Sequence, residues 1–173
     1  FVGPVRKKIG KRTIFNMIGP LSSPALVKRQ VVGVFDKKLL KIFAEGLKSL
    51  NIKFAWIVNS EDGLDEISPY AKTNVIQLKN GEISEIIIDP QLLNINAEKF
   101  DNLVGNDAKY NASKMIEIFK GKDNDFSKAV CLNAAAGLIV NEKYSEFLDA
   151  YNYSREFILS GKSYIHLEKI QNV

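Results

Sequence analysis

QVVGVFDKKLLKIFAEGLKSLNIKFAWIV, residues 30–58, changes its hydrophobic period twice, and those changes set the fold. Gln30–Phe35 is a β-branched run that stops at Asp36, which reads as a buried strand followed by a helix N-cap. From about Lys37 to Leu50, the side chains of Leu39, Leu40, Phe43, Leu47 and Leu50 recur at three- and four-residue spacing, one apolar stripe on a helix. Asn51 closes that helix, and Phe54–Val58 is a second buried strand. A β-α-β unit follows, and such units cross over right-handed between parallel strands.

Working outward, Asn59–Glu66 is a polar loop. Asn74–Leu78 and Ile83–Ile88 flank Lys79-Asn80-Gly81, and Asn-Gly between alternating runs signals a β-hairpin. Asp89-Pro90 breaks the chain. Helices are predicted over Ala108–Lys120 with Gly121 as the stop, over Phe126–Asn141, over about Lys143–Ser160, and over Ser163–Gln171. Phe126–Asn141 is apolar all round and belongs in the core. With no repeat, low-complexity tract or interdomain linker, residues 1–173 read as a single α/β domain. Its sheet is expected to be mixed, mostly parallel and flanked by helices, with the hairpin near 74–88. A length of 173 residues suits one such core.

Composition narrows function little: 24 Lys+Arg against 20 Asp+Glu gives a net charge of +4, which permits phosphate or acidic ligands without requiring nucleic acid. The single cysteine, Cys131, excludes an internal disulfide and makes a reducing cytoplasm the default. It sits in an apolar helical run, where a thiol behaves as a small hydrophobe. The lone His166, near the C-terminus, is a poor partner for it, so no catalytic nucleophile is expected. No run reaches the roughly 18 apolar residues of a membrane span, and Pro4 interrupts an N-terminal apolar stretch too short for a signal peptide.

Two segments carry candidate chemistry. VRKKIGKRTIFNMIGPLSSP, residues 5–24, packs Arg6, Lys7, Lys8, Lys11 and Arg12 around a glycine and changes register twice, as a backbone shaped around an anion would. Arg6 and Arg12 can each make two-pronged hydrogen bonds to a carboxylate or phosphate, whereas lysines act as point charges. Six apart, they lie on opposite sides of a continuous helix and converge only if Gly10 breaks it. The second segment, Asp62-Gly-Leu-Asp65-Glu66, follows a strand, and ligands of open α/β sheets bind beyond strand carboxyl ends. Asp65 and Glu66 read either as a solvated acidic turn or as ligands for Mg²⁺, which uses one or two carboxylates together with water and substrate phosphates. Together with the cations they suggest a phosphorylated substrate bridged by Mg²⁺. No P-loop, G-x-G-x-x-G or His/Cys metal cluster is present.

PVRKKIGKRTIFNMIGPLSSPA, VNSEDGLDEIS, GNDAKYNA and CLNAAAGLIV, in that order over Pro4–Ser163, closely resemble the larger α/β domain of the anthranilate phosphoribosyltransferase family. The resemblance implies transfer of a ribose 5-phosphate group from phosphoribosyl pyrophosphate to the amino group of anthranilate in tryptophan biosynthesis. By the same resemblance Arg6 would hold the anthranilate carboxylate, Pro20 would line its ring, and Asp65 and Glu66 would ligate Mg²⁺. Departures from the family pattern are Leu21-Ser-Ser-Pro-Ala25 for Leu-Thr-Asn-Pro-Ala, Val58-Asn-Ser60 for Val-His-Gly, and Gly105-Asn-Asp-Ala108 for Gly-Gly-Asp-Ala. The family's small helical domain, through which it forms homodimers, its glycine-rich pyrophosphate loop and a catalytic lysine find no counterpart in these residues. The chain is therefore expected to carry acceptor and metal sites but little transferase activity alone. The alternative is a nucleic-acid-binding relative of the same fold, to which an acidic pair beside the basic patch contributes nothing. A related nucleoside phosphorylase is disfavoured by Arg12-Thr-Ile-Phe-Asn16 and Asp62-Gly-Leu-Asp-Glu66.

Overall fold

A computed structural model of the chain describes residues 3, 8, 10 and 15–171. Strand β1 (Arg29–Gly33), helix α1 (Leu39–Ser49) and strand β2 (Phe54–Ser60) form the unit expected from residues 30–58. The two strands run parallel, with Val31 opposite Trp56 and Gly33 opposite Val58. The helix starts later than expected: Lys38, not Asp36, is its N-cap, and Asp36 instead holds the turn before it, its Oδ1 accepting from the Lys38 amide at 2.9 Å and its carbonyl from the Leu39 amide at 2.9 Å. Beyond the helix Asn51 takes a left-handed φ of +56°, a turn that asparagine tolerates well. Of the expected stripe Leu40, Phe43 and Leu47 are buried, joined by Ala44, whereas Leu39 is half-buried and Leu50, beyond the helix end, is exposed. Each large buried side chain among them contributes about 1.5–3 kcal/mol.

Strand β3 (Thr73–Lys79) runs antiparallel to β2, and β4 (Glu82–Ile88) completes the predicted hairpin through Asn80 (φ +52°) and Gly81 (φ +85°). The sheet order is β1-β2-β3-β4. It is mixed, as expected, but not mostly parallel: among the described residues one pairing is parallel and two are antiparallel. The reason lies in the connections. Parallel neighbours need a crossover, usually a helix, and only residues 34–53 contain one. Residues 61–72 hold neither helix nor strand, so the chain reverses. The polar loop also starts later than expected, because Asn59 and Ser60 are buried and continue the β2 ladder opposite Asn74 and Thr73.

Four further helices follow: α2 (Ala108–Phe119), α3 (Asp125–Val140), α4 (Phe147–Leu159) and α5 (Lys162–Gln171). Helix α3 starts with a capping box between Asn124 and Ser127, and its Cys131, Leu132, Ala135, Ala136 and Ile139 cover the sheet face made by Phe54, Trp56 and Val58. Helix α1 covers the opposite face, packing on Val32, Ala55, Ile57, Ile76 and Leu78. Helix α4 lies on the outside of α3, with Ala150, Tyr151 and Ile158 in the same core. Cys131 is 1% exposed, and burial pushes its thiol up to about 11, so it packs as the hydrophobe expected. Among the described residues no helix is long and apolar enough to cross a membrane.

Candidate metal and substrate site

The carboxyl ends of β1 and β2 meet the acidic loop through a backbone contact that permits no side chain. A Cβ on Gly33 would lie 1.6 Å from the Asp65 carbonyl oxygen and 2.8 Å from the carbonyl carbon, so only glycine lets the loop rest against the strand. Beneath it, Asn59 on β2 donates from Nδ2 to the Val34 carbonyl at 2.8 Å and ties the two strand ends together.

The loop is braced internally. The Ser60 amide donates to the Leu64 carbonyl at 2.9 Å, and the Gly63 amide donates to the Ser60 carbonyl at 3.0 Å. Asp62 accepts from the Leu64 amide at 3.3 Å and, on its other oxygen, from the Ser68 hydroxyl. That hydroxyl in turn accepts from the Tyr70 amide at 3.0 Å and the Ala71 amide at 3.3 Å. Asp62 is thus consumed in holding the turn, which leaves Asp65 and Glu66 exposed at its crest.

No hydrogen bond or ion pair from a described residue reaches either of those carboxylates. Both line a shallow hollow with Val31, Gly33, Val58, Val130 and Asn133. Although Glu66 keeps exposed surface, the protein beside it partly dehydrates its carboxyl, and the neighbouring Asp65 charge repels it. Both effects raise its pKa above the usual 4.5, burial being the larger. Two like charges held together with no cation from the described residues paired to them favour a cation. Among the described residues no group of three or more His, Cys, Asp and Glu side chains could hold a metal by itself. The donor set, two hard carboxylates at an open crest, fits Mg²⁺ in the form that retains water and takes further oxygens from a phosphate.

Pro20 stands elsewhere. It is half-buried in a 3-10 turn, Gly19–Leu21, which continues a single helical turn at Phe15–Ile18. Its hollow is lined by Lys28, Gln30, Leu47, Leu50 and Ile52, beside the end of α1 and the start of β1. Pro20 and the acidic pair share no lining residue and lie on opposite sides of the sheet. Arg6, the residue assigned to the acceptor carboxylate, lies outside the described residues, as does Arg12. Gly10 has a left-handed φ of +61°, which suits the helix break considered from the sequence.

Gly33 and Asn133 had no assigned role in the sequence, although both carried a signal. An isolated glycine inside a β-branched run marks a close backbone approach. An asparagine within the apolar run 129–140 has its polar groups to satisfy. Asn133 meets that need at the acidic loop: its Oδ1 accepts from the Ile67 amide at 2.9 Å, and its Nδ2 donates to the Ile67 carbonyl at 3.1 Å and to the Ala129 carbonyl at 2.9 Å.

Residues 1–164 match the family model described as glycosyl transferase family, a/b domain. The chain is 78% identical over 173 residues to the anthranilate phosphoribosyltransferase of Pelagibacter ubique (strain HTCC1062), covering 100% of this chain and 52% of that protein. It is 39% identical over 171 residues to the enzyme of the same name from Clostridium kluyveri (strain ATCC 8527), covering 99% and 51%. The crystal structure of anthranilate phosphoribosyltransferase from Thermus thermophilus matches with a TM-score of 0.85 at 29% identity, over 97% of this chain and 50% of that one. The chain spans about half the length of the curated relatives it matches.

Proposed function

We infer the function from one premise: the chain belongs to the glycosyl transferase family, a/b domain. Its relatives in that family are anthranilate phosphoribosyltransferases. On this reading the chain supplies acceptor- and metal-binding residues for transfer of the 5-phosphoribosyl group from phosphoribosyl pyrophosphate to anthranilate. The bond from the anomeric carbon to the pyrophosphate oxygen breaks, a bond from that carbon to the amino nitrogen forms, and the nitrogen gives up a proton.

Asp65 and Glu66 would hold Mg²⁺, which when bound offsets the negative charge growing on the departing pyrophosphate. Arg6 would grip the anthranilate carboxylate with its planar fork and so aim the weakly basic amine. The resemblance assigns Pro20 to the wall of the aromatic ring, but Pro20 stands across the sheet from the acidic pair, so no step of this reading is routed through it. None of these steps uses an enzyme nucleophile, in keeping with the buried Cys131 thiol. The reaction belongs in the cytoplasm, where a lone thiol stays reduced.

The observation that carries this reading is the acidic pair at the crest of the loop, seated on Gly33 with no cation from the described residues beside it. The test is binding by the 173-residue chain. Anthranilate fluorescence and Mn²⁺ titration should both show saturable binding, with anthranilate binding lost in Arg6→Ala and Mn²⁺ binding lost in Asp65→Asn/Glu66→Gln. Turnover of anthranilate should be slight, and the chain should elute as a monomer, because the resemblance assigns dimer contacts to the helical domain. A salt-sensitive gel shift at submicromolar protein, without binding of either small ligand, would overturn this reading in favour of nucleic acid.

A further inference from the structure

We propose that Asn133 is a positioning residue for the acidic pair, setting the place and direction of Glu66 from helix α3. This rests on the reading of Asp65 and Glu66 as metal ligands.

Ile67 follows Glu66 directly and is fully buried, and both of its backbone polar groups are held by the Asn133 amide. Ordinarily a strand partner would do this. Here the backbone after Ser60 has left the ladder, and one side chain from the covering helix replaces it. The third bond of the amide, to the Ala129 carbonyl one helical turn earlier, fixes the rotamer. The oxygen and both N–H groups are therefore engaged, which also settles which end of the amide is the oxygen.

No other side chain of similar size reproduces that pattern. Aspartate lacks the donors, leucine and alanine lack both functions, and glutamine carries its amide one methylene too far. Gly33 restrains the loop from the Asp65 side and Asn133 from the Ile67 side, so the crest between them is anchored at both ends. Its carboxylates can then share one small ion without a rearrangement of the loop. Groups that orient metal ligands in this way typically change metal affinity by about 10–100-fold when removed.

The experiment compares Mn²⁺ binding, followed by electron paramagnetic resonance, and amide hydrogen exchange in wild type, Asn133→Ala and Asp65→Asn/Glu66→Gln. Alanine is the best helix former, so α3 should persist, while the melting temperature should fall because the buried Ile67 amide and carbonyl lose their partner. The expected result is about a tenfold weaker Mn²⁺ affinity in Asn133→Ala, with faster exchange at the Ile67 amide and unchanged exchange along α3. Should Asn133→Ala fail to fold, Asn133→Gln keeps the amide and should show the same two changes. Equal Mn²⁺ affinity in wild type and the Asn133 variant overturns the positioning role and leaves the metal reading standing. Absence of Mn²⁺ binding in wild type overturns both.

Discussion

The sheet face covered by α3 has two ends that handle charge in opposite ways. Where β1 and β2 begin, Glu142 gathers Arg29, Lys53 at 3.7 Å and Lys79 at 3.8 Å, and Arg29 also donates to the Val140 carbonyl at 2.9 Å at the end of α3. The hydrogen bond from Arg29 is the main cause holding the Glu142 carboxyl below its usual range. Where the same strands finish, Asp65 and Glu66 stand together without a described cation, and Glu66 is shifted upward. One end pairs its carboxylate with cations within the fold and closes a helix. The other leaves Glu66 beside the like charge of Asp65 with no cation from the described residues, which costs stability and on the metal-binding reading is offset when a cation binds.

Three changes would break or sharpen that contrast. Gly33→Ala should have the largest effect on the fold. Its Cβ must displace the Asp65 carbonyl, an overpacking worth about 1–3 kcal/mol, read as a lower urea midpoint at unchanged slope. It should also weaken Mn²⁺ binding, since the crest moves.

Smaller, and opposite in sign, is Glu66→Gln, which should raise the melting temperature at pH 7 while weakening Mn²⁺ binding. Because the folded pKa of Glu66 lies above its unfolded value, its carboxylate destabilises the native state at neutral pH. That penalty fades as pH falls through the raised pKa and is gone below the unfolded value near 4.5. The stabilising gain of Glu66→Gln should therefore vanish in acid. If the gain persists at about pH 4, below that unfolded value, repulsion and dehydration of the carboxylate are not its cause.

Smallest is Glu142→Gln, a surface change expected to lower the melting temperature slightly and less so in high salt. Its folded pKa is depressed, so its contribution is present above the unfolded value and is lost as pH falls through the depressed one. The two ends should thus respond to acid in opposite directions.

The sequence of residues 30–58 was enough for the β-α-β unit, because each period change there coincides with a cap or turn residue of known preference. Asn80-Gly81 likewise located the hairpin. The strand directions were harder to read. Whether a connection crosses over or reverses depends on the presence of a helix in it, and residues 61–72, rich in turn formers, simply fold back. Asp65 and Glu66 were legible as a pair, but that Asp62 serves the turn and the other two do not follows only from the Ser68 hydroxyl lying within its reach. Asn133 is distant in sequence from the loop it holds, and a side chain bonded across sixty-six positions leaves no local pattern.

The bracing of that loop has a further consequence for timing. Asp62, Ser68, Gly33 and Asn133 fix the crest from within the protein. The loss of chain entropy that accompanies an ordered loop therefore falls in the folding step and not in the encounter with a ligand. An incoming cation has water to displace but no backbone to arrange. Its arrival should then be governed by how fast it sheds its own hydration shell, so Mn²⁺ should load faster than the slowly dehydrating Mg²⁺.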